Sequence, residues 1–474
     1  MAGVFLISLA LRFWGLSRFN TLVFDEVYYA KFANNYLTRT QFFNAHPPLS
    51  QYIIAIGIWI GSHIPFGHDA VNGLTGSLRS TWSYRWLNAL TGSFIPLVVA
   101  GIAYQLSHRR SYAFIAALFA ATDGLFLVES RYALNNVYLV IFGLLGQWFL
   151  LLALERQNRR RRLWLALSGI GFGASAAIKW NGLWFLLGAY LIWVAAWVMR
   201  WVQSFRHSAS GEMGRWGDGE QNLTQLNVWQ ILFYLAFIPV LVYSLSWVPH
   251  LQLNPEPGLW EVQKRILEYH QRIGSSPDVH PYCSTWYTWP LTIRPVAYFY
   301  GTAQTATESL AVMGPPLPAS GRKVIYDVHA IANPALYWLS TAAILFLLWM
   351  LARSAIAQAI ALRQERSPRL SPLPANTWIA LYLVLNWLAN LLPWVRVTRC
   401  TFLYHYMGAS VFAGLAIAWL VDQWLHSYRR ELRALGVTVI FLILLAFVFW
   451  MPIYLGLPLS PESYRLRMWF NSWI

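Results

Sequence analysis

Long apolar runs separated by polar loops recur along this chain, at about residues 2–16, 85–106, 112–128, 132–154, 163–178, 183–201, 228–247, 334–351, 377–392, 407–425 and 435–454. A segment of this kind crosses a bilayer as a helix, because only a helix satisfies its own backbone polar groups where water is absent. The sequence therefore predicts an all-α polytopic membrane protein with about 11 transmembrane helices. Hydrophobic residues make up 57% of the chain and charged residues 11%, and 27 tryptophans suit aromatic belts at the bilayer surface. The run at 52–64 is apolar but short, contains Gly57 and Gly61, and ends at Pro65, which predicts a helix lying in the interface. The reading is one integral membrane domain, 1–474, with a first outer loop at 17–84 and a long polar outer loop at 249–333.

Orientation follows from the basic residues. Arg109 and Arg110, the run Arg156–Arg162, Arg353 with Arg363, Arg366 and Arg369, and Arg429, Arg430 and Arg433 fall on alternate loops. The positive-inside rule makes that side cytoplasmic, with the N-terminus inside and the C-terminal tail outside. The net charge of +16 is then explained by cytoplasmic loops beside anionic lipid and by any site for an anionic substrate, so no nucleic-acid partner is expected. The N-terminal apolar run lacks a basic leader and a small-residue cleavage site, so it reads as a retained helix, with Arg12 snorkelling to the interface.

Acidic residues are scarce, 19 in 474, yet Asp25 and Glu26 stand side by side just after the first helix. They read either as an exposed pair capping an interfacial helix or as a general base near a low-dielectric boundary. His46–Pro47–Pro48 predicts a rigid turn before the short apolar helix, with His46 a capping or substrate-side group. Arg131, Lys179, Arg396, Arg399 and His405 lie at junctions on the predicted outer side, where few cations are expected. Each alone reads equally well as an interfacial anchor; together they suggest a site for an anion, with phosphate the obvious candidate. Cys283 and Cys400 supply neither a disulfide framework nor a four-ligand zinc site; they are either a single outer disulfide or two separate thiols. Nucleotide-binding glycine loops, HExxH and paired CxxC are all missing, so no metal site is assigned and a divalent cation is left open.

The motifs FDEVYYAKFANNYL with FFNAHPPL, ESRYAL, GASAAIKWNGL and RCTFLYHY, together with HPYCSTWYTWPLTIRPVAYFY, occur in that order from residue 24 onward. In this combination the chain resembles the protein O-mannosyltransferase family, membrane enzymes of the GT-C class that use polyprenyl- or dolichyl-phosphate-mannose, and specifically its bacterial members. The resemblance implies transfer of mannose from a polyprenyl-phosphate-mannose donor to Ser/Thr hydroxyls of protein acceptors at the outer face of the membrane, with inversion at the sugar. It places Asp25 on the family's proposed catalytic aspartate and Glu26 on its neighbour. It places Arg131 on an arginine associated with the lipid phosphate, and Lys179, Arg399 and His405 near the carrier. Ser50–Gln51 departs from the family's Gly-Lys, Asn136 stands where relatives often carry an acid, and 249–333 is too short for the β-trefoil of the eukaryotic enzymes. Two alternatives stay open. One is the same chemistry on a lipid or polysaccharide acceptor; the other is a transporter or lipid flippase, against which the lack of an internal repeat weighs.

Overall fold

The computed structural model describes residues 1–68, 71–155, 158–210, 223–274, 279–303, 323–363 and 375–474. Arg156, Arg366 and Arg369 of the basic clusters lie outside them. Helices dominate: α1 (Ala2–Phe13), α2 (Glu26–Thr38), α3 (Leu49–Gly61), α4 (Thr81–Ser107), α5 (Arg110–Ala121), α6 (Gly124–Arg131), α7 (Asn136–Glu155), α8 (Asn158–Ala176) and α9 (Leu183–Ser210) come first. After them come α10 (Val228–Leu253), α11 (Leu259–Arg272), α12 (Pro334–Arg363), α13 (Ala375–Leu391), α14 (Met407–Leu425) and α15 (Arg430–Leu455). Two antiparallel hairpins interrupt them, β1 (Val71–Leu74) with β2 (Ser77–Ser80), and β3 (Val296–Ala303) with β4 (Val324–Ala330).

Among the described residues eight helical stretches are long and apolar enough to cross a membrane, or nine if the bent pair α5–α6 is one span. The chain is thus a multi-pass membrane protein. A helix forms at each of the eleven apolar runs, but α1 has only 12 residues and α8 carries Arg159–Arg162 in its opening turns, so neither is among the eight. The run at 112–128 is not one straight helix. Asp123 accepts a hydrogen bond from the Leu125 amide (2.9 Å), capping α6 and setting it 58° from α5.

The first helix is shorter than its apolar run because the chain turns at Gly15, whose φ of +59° favours glycine. Arg12 does not snorkel. It is wholly buried and donates to the Ser8 hydroxyl and carbonyl, one turn back (2.6 and 3.3 Å). The short run at 52–64 forms α3, which packs on α4 so closely that a Cβ at Gly61 would lie 2.8 Å from Ser83. At the start of α3, the Ser50 hydroxyl donates to Gln51 Oε1 (3.1 Å).

The segment 249–333 holds more structure than its polarity predicts. It contains the amphipathic helix α11 and the β3–β4 hairpin, whose inner strand is buried throughout. A disulfide joins Cys283 to Cys400 and pins this segment to the one before α14, with Ser284 and Thr401 bonded on either side (2.8 and 2.6 Å).

Candidate active site

The polar stretch after α1 folds back through a tight turn at Val23–Glu26. Phe24 there adopts a φ of +52°, which for an aromatic residue needs external support. That support is Tyr298 of β3, stacked on Phe24 with ring centroids 4.3 Å apart. The turn sends the two adjacent carboxylates into different surroundings.

Glu26 is fully buried and saturated. Arg85 of α4 grips both its oxygens (2.8 and 2.7 Å), and the amides of Val23 and Ala133 donate to the same oxygens (2.8 and 2.9 Å). Arg85 spends its remaining donors on the carbonyls of Leu16, Phe19 and Thr21. Such a pair has no free lone pair aimed at a substrate, so Glu26 organises the turn. Grouped with Asp25 as a catalytic candidate in the sequence, Glu26 has the bonding of a supporting residue.

Asp25 differs in every respect. It occupies the N-cap position of α2, yet its side chain makes no capping bond. Among the described residues its carboxylate accepts no hydrogen bond and has no cationic nitrogen within 4.0 Å. Burial raises its pKa to about 6, with Lys179 pulling in the opposite direction. An unspent carboxylate with that pKa, half-open to solvent, has the properties of a general base.

Lys179 lies in the break between α8 and α9. Its ammonium donates to Asn136 Oδ1 (2.9 Å) and sits 5.4 Å above the Tyr404 ring. Asn136 in turn donates to Glu129 (3.1 Å), and the Tyr298 hydroxyl donates to the other Glu129 oxygen. This chain fixes the ammonium while Tyr298 holds the Phe24 turn, so one strand supports both charges. Burial lowers the Lys179 pKa, whereas Asp25 and Glu129 raise it. Asn136, the departure from the family's acid, is the link in the chain.

Arg399 follows next to the disulfide, bonded only to the Cys400 carbonyl (3.0 Å) among the described residues. Its charge acts on Lys179, His46, His270 and His405. His46 lies 5.2 Å from the His270 ring, and its pKa falls well below the usual value through burial and then through Lys179 and its other cationic neighbours. Pro47 and Pro48 are buried and lead into α3, whose first amide (Leu49) bonds the Ala177 carbonyl (3.1 Å), tying the first loop to the lysine segment. His405 is packed between Trp394 and Tyr404, with ring centroids at 4.5 and 4.6 Å. The structure therefore gathers Asp25, Lys179, Arg399, His46 and His405. Among the described residues no three His, Cys, Asp or Glu side chains are grouped so that they could hold a metal ion.

Arg131 is elsewhere. Its guanidinium caps the C-terminal end of α1, donating to the carbonyls of Leu11, Arg12, Trp14 and Gly15 (2.8, 3.2, 2.7 and 3.2 Å). The α1 carbonyls engage both Nη groups and leave Nε unbonded, so the guanidinium serves as a helix cap, which speaks against its assignment to the donor phosphate. Arg131→Met should lower folding stability by about 1.5–3 kcal/mol, measured by thermal unfolding in detergent. Its apparent donor affinity, measured on the folded fraction, should stay at the parent value. Tyr29, His270, Tyr404 and the Tyr298–Glu129 pair were not singled out from sequence. His270 carries no signal beyond a lone histidine on α11, whereas Tyr404 and Tyr29 sit inside quoted motifs and could have been weighed.

The multi-pass helical fold is that of the GT-C membrane glycosyltransferases. The chain superimposes on the S. cerevisiae protein O-mannosyltransferase Pmt1-Pmt2 complex bound to the sugar donor with a TM-score of 0.76, at 14% identity, covering 100% of this chain and 92% of that one. It belongs to the dolichyl-phosphate-mannose-protein mannosyltransferase family, whose model matches residues 3–253. A second model, the C-terminal four TMM region of protein-O-mannosyltransferase, matches 257–473. Among its relatives, the polyprenol-phosphate-mannose–protein mannosyltransferase of Mycolicibacterium smegmatis is 24% identical over 96% of this chain and 88% of its own length. The Corynebacterium glutamicum protein of the same name is 24% identical over 90% and 81%.

Proposed function

We propose that this protein transfers mannose from a polyprenyl-phosphate-linked donor to Ser/Thr hydroxyls of proteins, with the reaction at the outer face of the membrane. The observation that carries the reading is the Asp25 carboxylate, unbonded and opposed to Lys179, on which Arg399 also acts. Asp25 takes the proton of the acceptor hydroxyl as its oxygen bonds to C1 of mannose. The bond from C1 to the phosphate oxygen breaks in the same step, releasing polyprenyl phosphate and inverting the anomeric centre. Lys179 and Arg399 stabilise the charge that grows on the departing phosphate. Because phosphate is a good leaving group, the step calls for no general acid.

With the eleven helices α1, α4, α5–α6, α7, α8, α9, α10, α12, α13, α14 and α15 taken as crossings, the N-terminus, Arg109, Arg159–Arg162, Arg353 and Arg429 share one side and Asp25 lies on the other. By the positive-inside rule the arginine side is cytoplasmic, which supports an outward-facing Asp25. The test is transfer of labelled mannose from polyprenyl-phosphate-mannose to a Ser/Thr-rich peptide by the purified protein. Label appearing only in a lipid or polysaccharide fraction would select another acceptor, and donor movement without transfer would select a flippase. Lys179→Met should lower transfer about a hundredfold, the scale of losing one preorganised electrostatic contact. Its readout is single-turnover transfer at saturating donor, and an unchanged rate would remove Lys179 from the charge-stabilising role.

A further inference from the structure

Four buried arginines, Arg12, Arg18, Arg85 and Arg131, converge where α1 ends. Their counter-charges are unequal. Glu26 pairs with Arg85, Asp123 acts on Arg12, and Arg131 is met by four carbonyls at the negative end of α1. Arg18 has no carboxylate partner among the described residues. Its Nε and Nη1 are buried and unbonded there, while its guanidinium lies 4.7 Å above the Trp14 ring. Arg131 and the Tyr132 hydroxyl act on each other, neither Arg131 Nε nor that hydroxyl has a further partner among the described residues, and both lie within electrostatic reach of Arg18. A buried guanidinium with idle donors is costly unless an anion completes it.

We propose that Arg18, with Arg131 Nε and the Tyr132 hydroxyl, forms a phosphate-binding site for the headgroup of an anionic membrane lipid. The planar guanidinium fork matches two phosphate oxygens, and the hydroxyl supplies a further donor. The site stands at the end of an apolar helix beside Trp14, which is half-exposed, at the level where headgroups and tryptophans meet. It shares no residue with the Asp25 centre, whose charge acts on Lys179, Tyr29 and Tyr404.

The experiment titrates the purified full-length protein in neutral detergent with phosphatidylglycerol, phosphatidylcholine or inorganic phosphate, read by native mass spectrometry and by thermal unfolding. Phosphatidylglycerol should be retained in preference to phosphatidylcholine, and Arg18→Gln should weaken that retention about tenfold. Arg18→Lys, which keeps the charge and loses the fork, should fall between. Lys179→Met should retain the lipid as the parent does, which makes the result independent of the proposed transfer reaction. Inorganic phosphate that displaces the lipid with the same Arg18 dependence assigns the site to free phosphate, and failure to displace it assigns the site to the headgroup. Retention by folded Arg18→Gln equal to that of the parent overturns the proposal. Equal retention by Arg18→Lys does so if the Gln variant does not fold.

Discussion

Asp25→Asn should lower mannosyl transfer by about 10²–10⁴-fold, the range for loss of a general base, while the unfolding temperature should stay near that of the parent. The carboxylate makes no hydrogen bond within the described residues, so the amide breaks none. The measurement is labelled-mannose transfer with expression and unfolding followed in parallel. Wild-type transfer by a folded variant would take Asp25 out of the mechanism. The same assignment fixes a pH dependence. The base works when ionised, and its pKa is raised to about 6, so transfer should rise with pH and reach half its plateau near that value. A profile flat from pH 5 to 7.5, about the window that brackets this pKa, would mean that another group takes the proton.

Glu26 and Arg85 should respond in the opposite way. Arg85→Met leaves the Glu26 carboxylate buried with half its partners, a loss on the order of 3–5 kcal/mol. The expected result is loss of folded protein in detergent, read by size exclusion and thermal unfolding. Adding Glu26→Gln to Arg85→Met should recover part of the loss, because the isolated charge is then gone. If Arg85→Met unfolds like the parent, the pair does not hold the turn. Two adjacent carboxylates would thus separate cleanly, one acting on the rate and its neighbour on the fold.

The membrane fold was legible because a bilayer demands apolar length, which a chain displays openly. The break at Asp123 was not, since a cap inside an apolar run looks like a single tolerated polar residue. The buried strand Val324–Ala330 was missed because its Asp327 and His329 gave the surrounding segment a polar look. Asp25 and Glu26 stood out as a pair, but the turn at Phe24 gives them different neighbours, and only the fold reveals which is spent on Arg85. Arg131 looked like a phosphate ligand because an arginine at membrane depth signals function. Its partners, the carbonyls at the end of α1, lie 116 to 120 residues away and carry no side-chain signature. Lys179 and Arg399 were singled out from charge placed where charge is scarce, a signal that His270 does not give.

The bond between Cys283 and Cys400 bears on which compartment this protein works in. Such a link forms and lasts in oxidising surroundings, whereas the cytosol keeps thiols reduced. It sits one residue from Arg399 and joins the 249–333 segment to the stretch that carries that arginine. In the proposed reaction, the side of the membrane that oxidises these two sulfurs is also the side on which Arg399 meets the donor's phosphate. This supports the outward orientation without counting a single arginine in a loop. A copy inserted the other way round would carry two thiols there, and its Arg399 would lose the tether that brings it to the site.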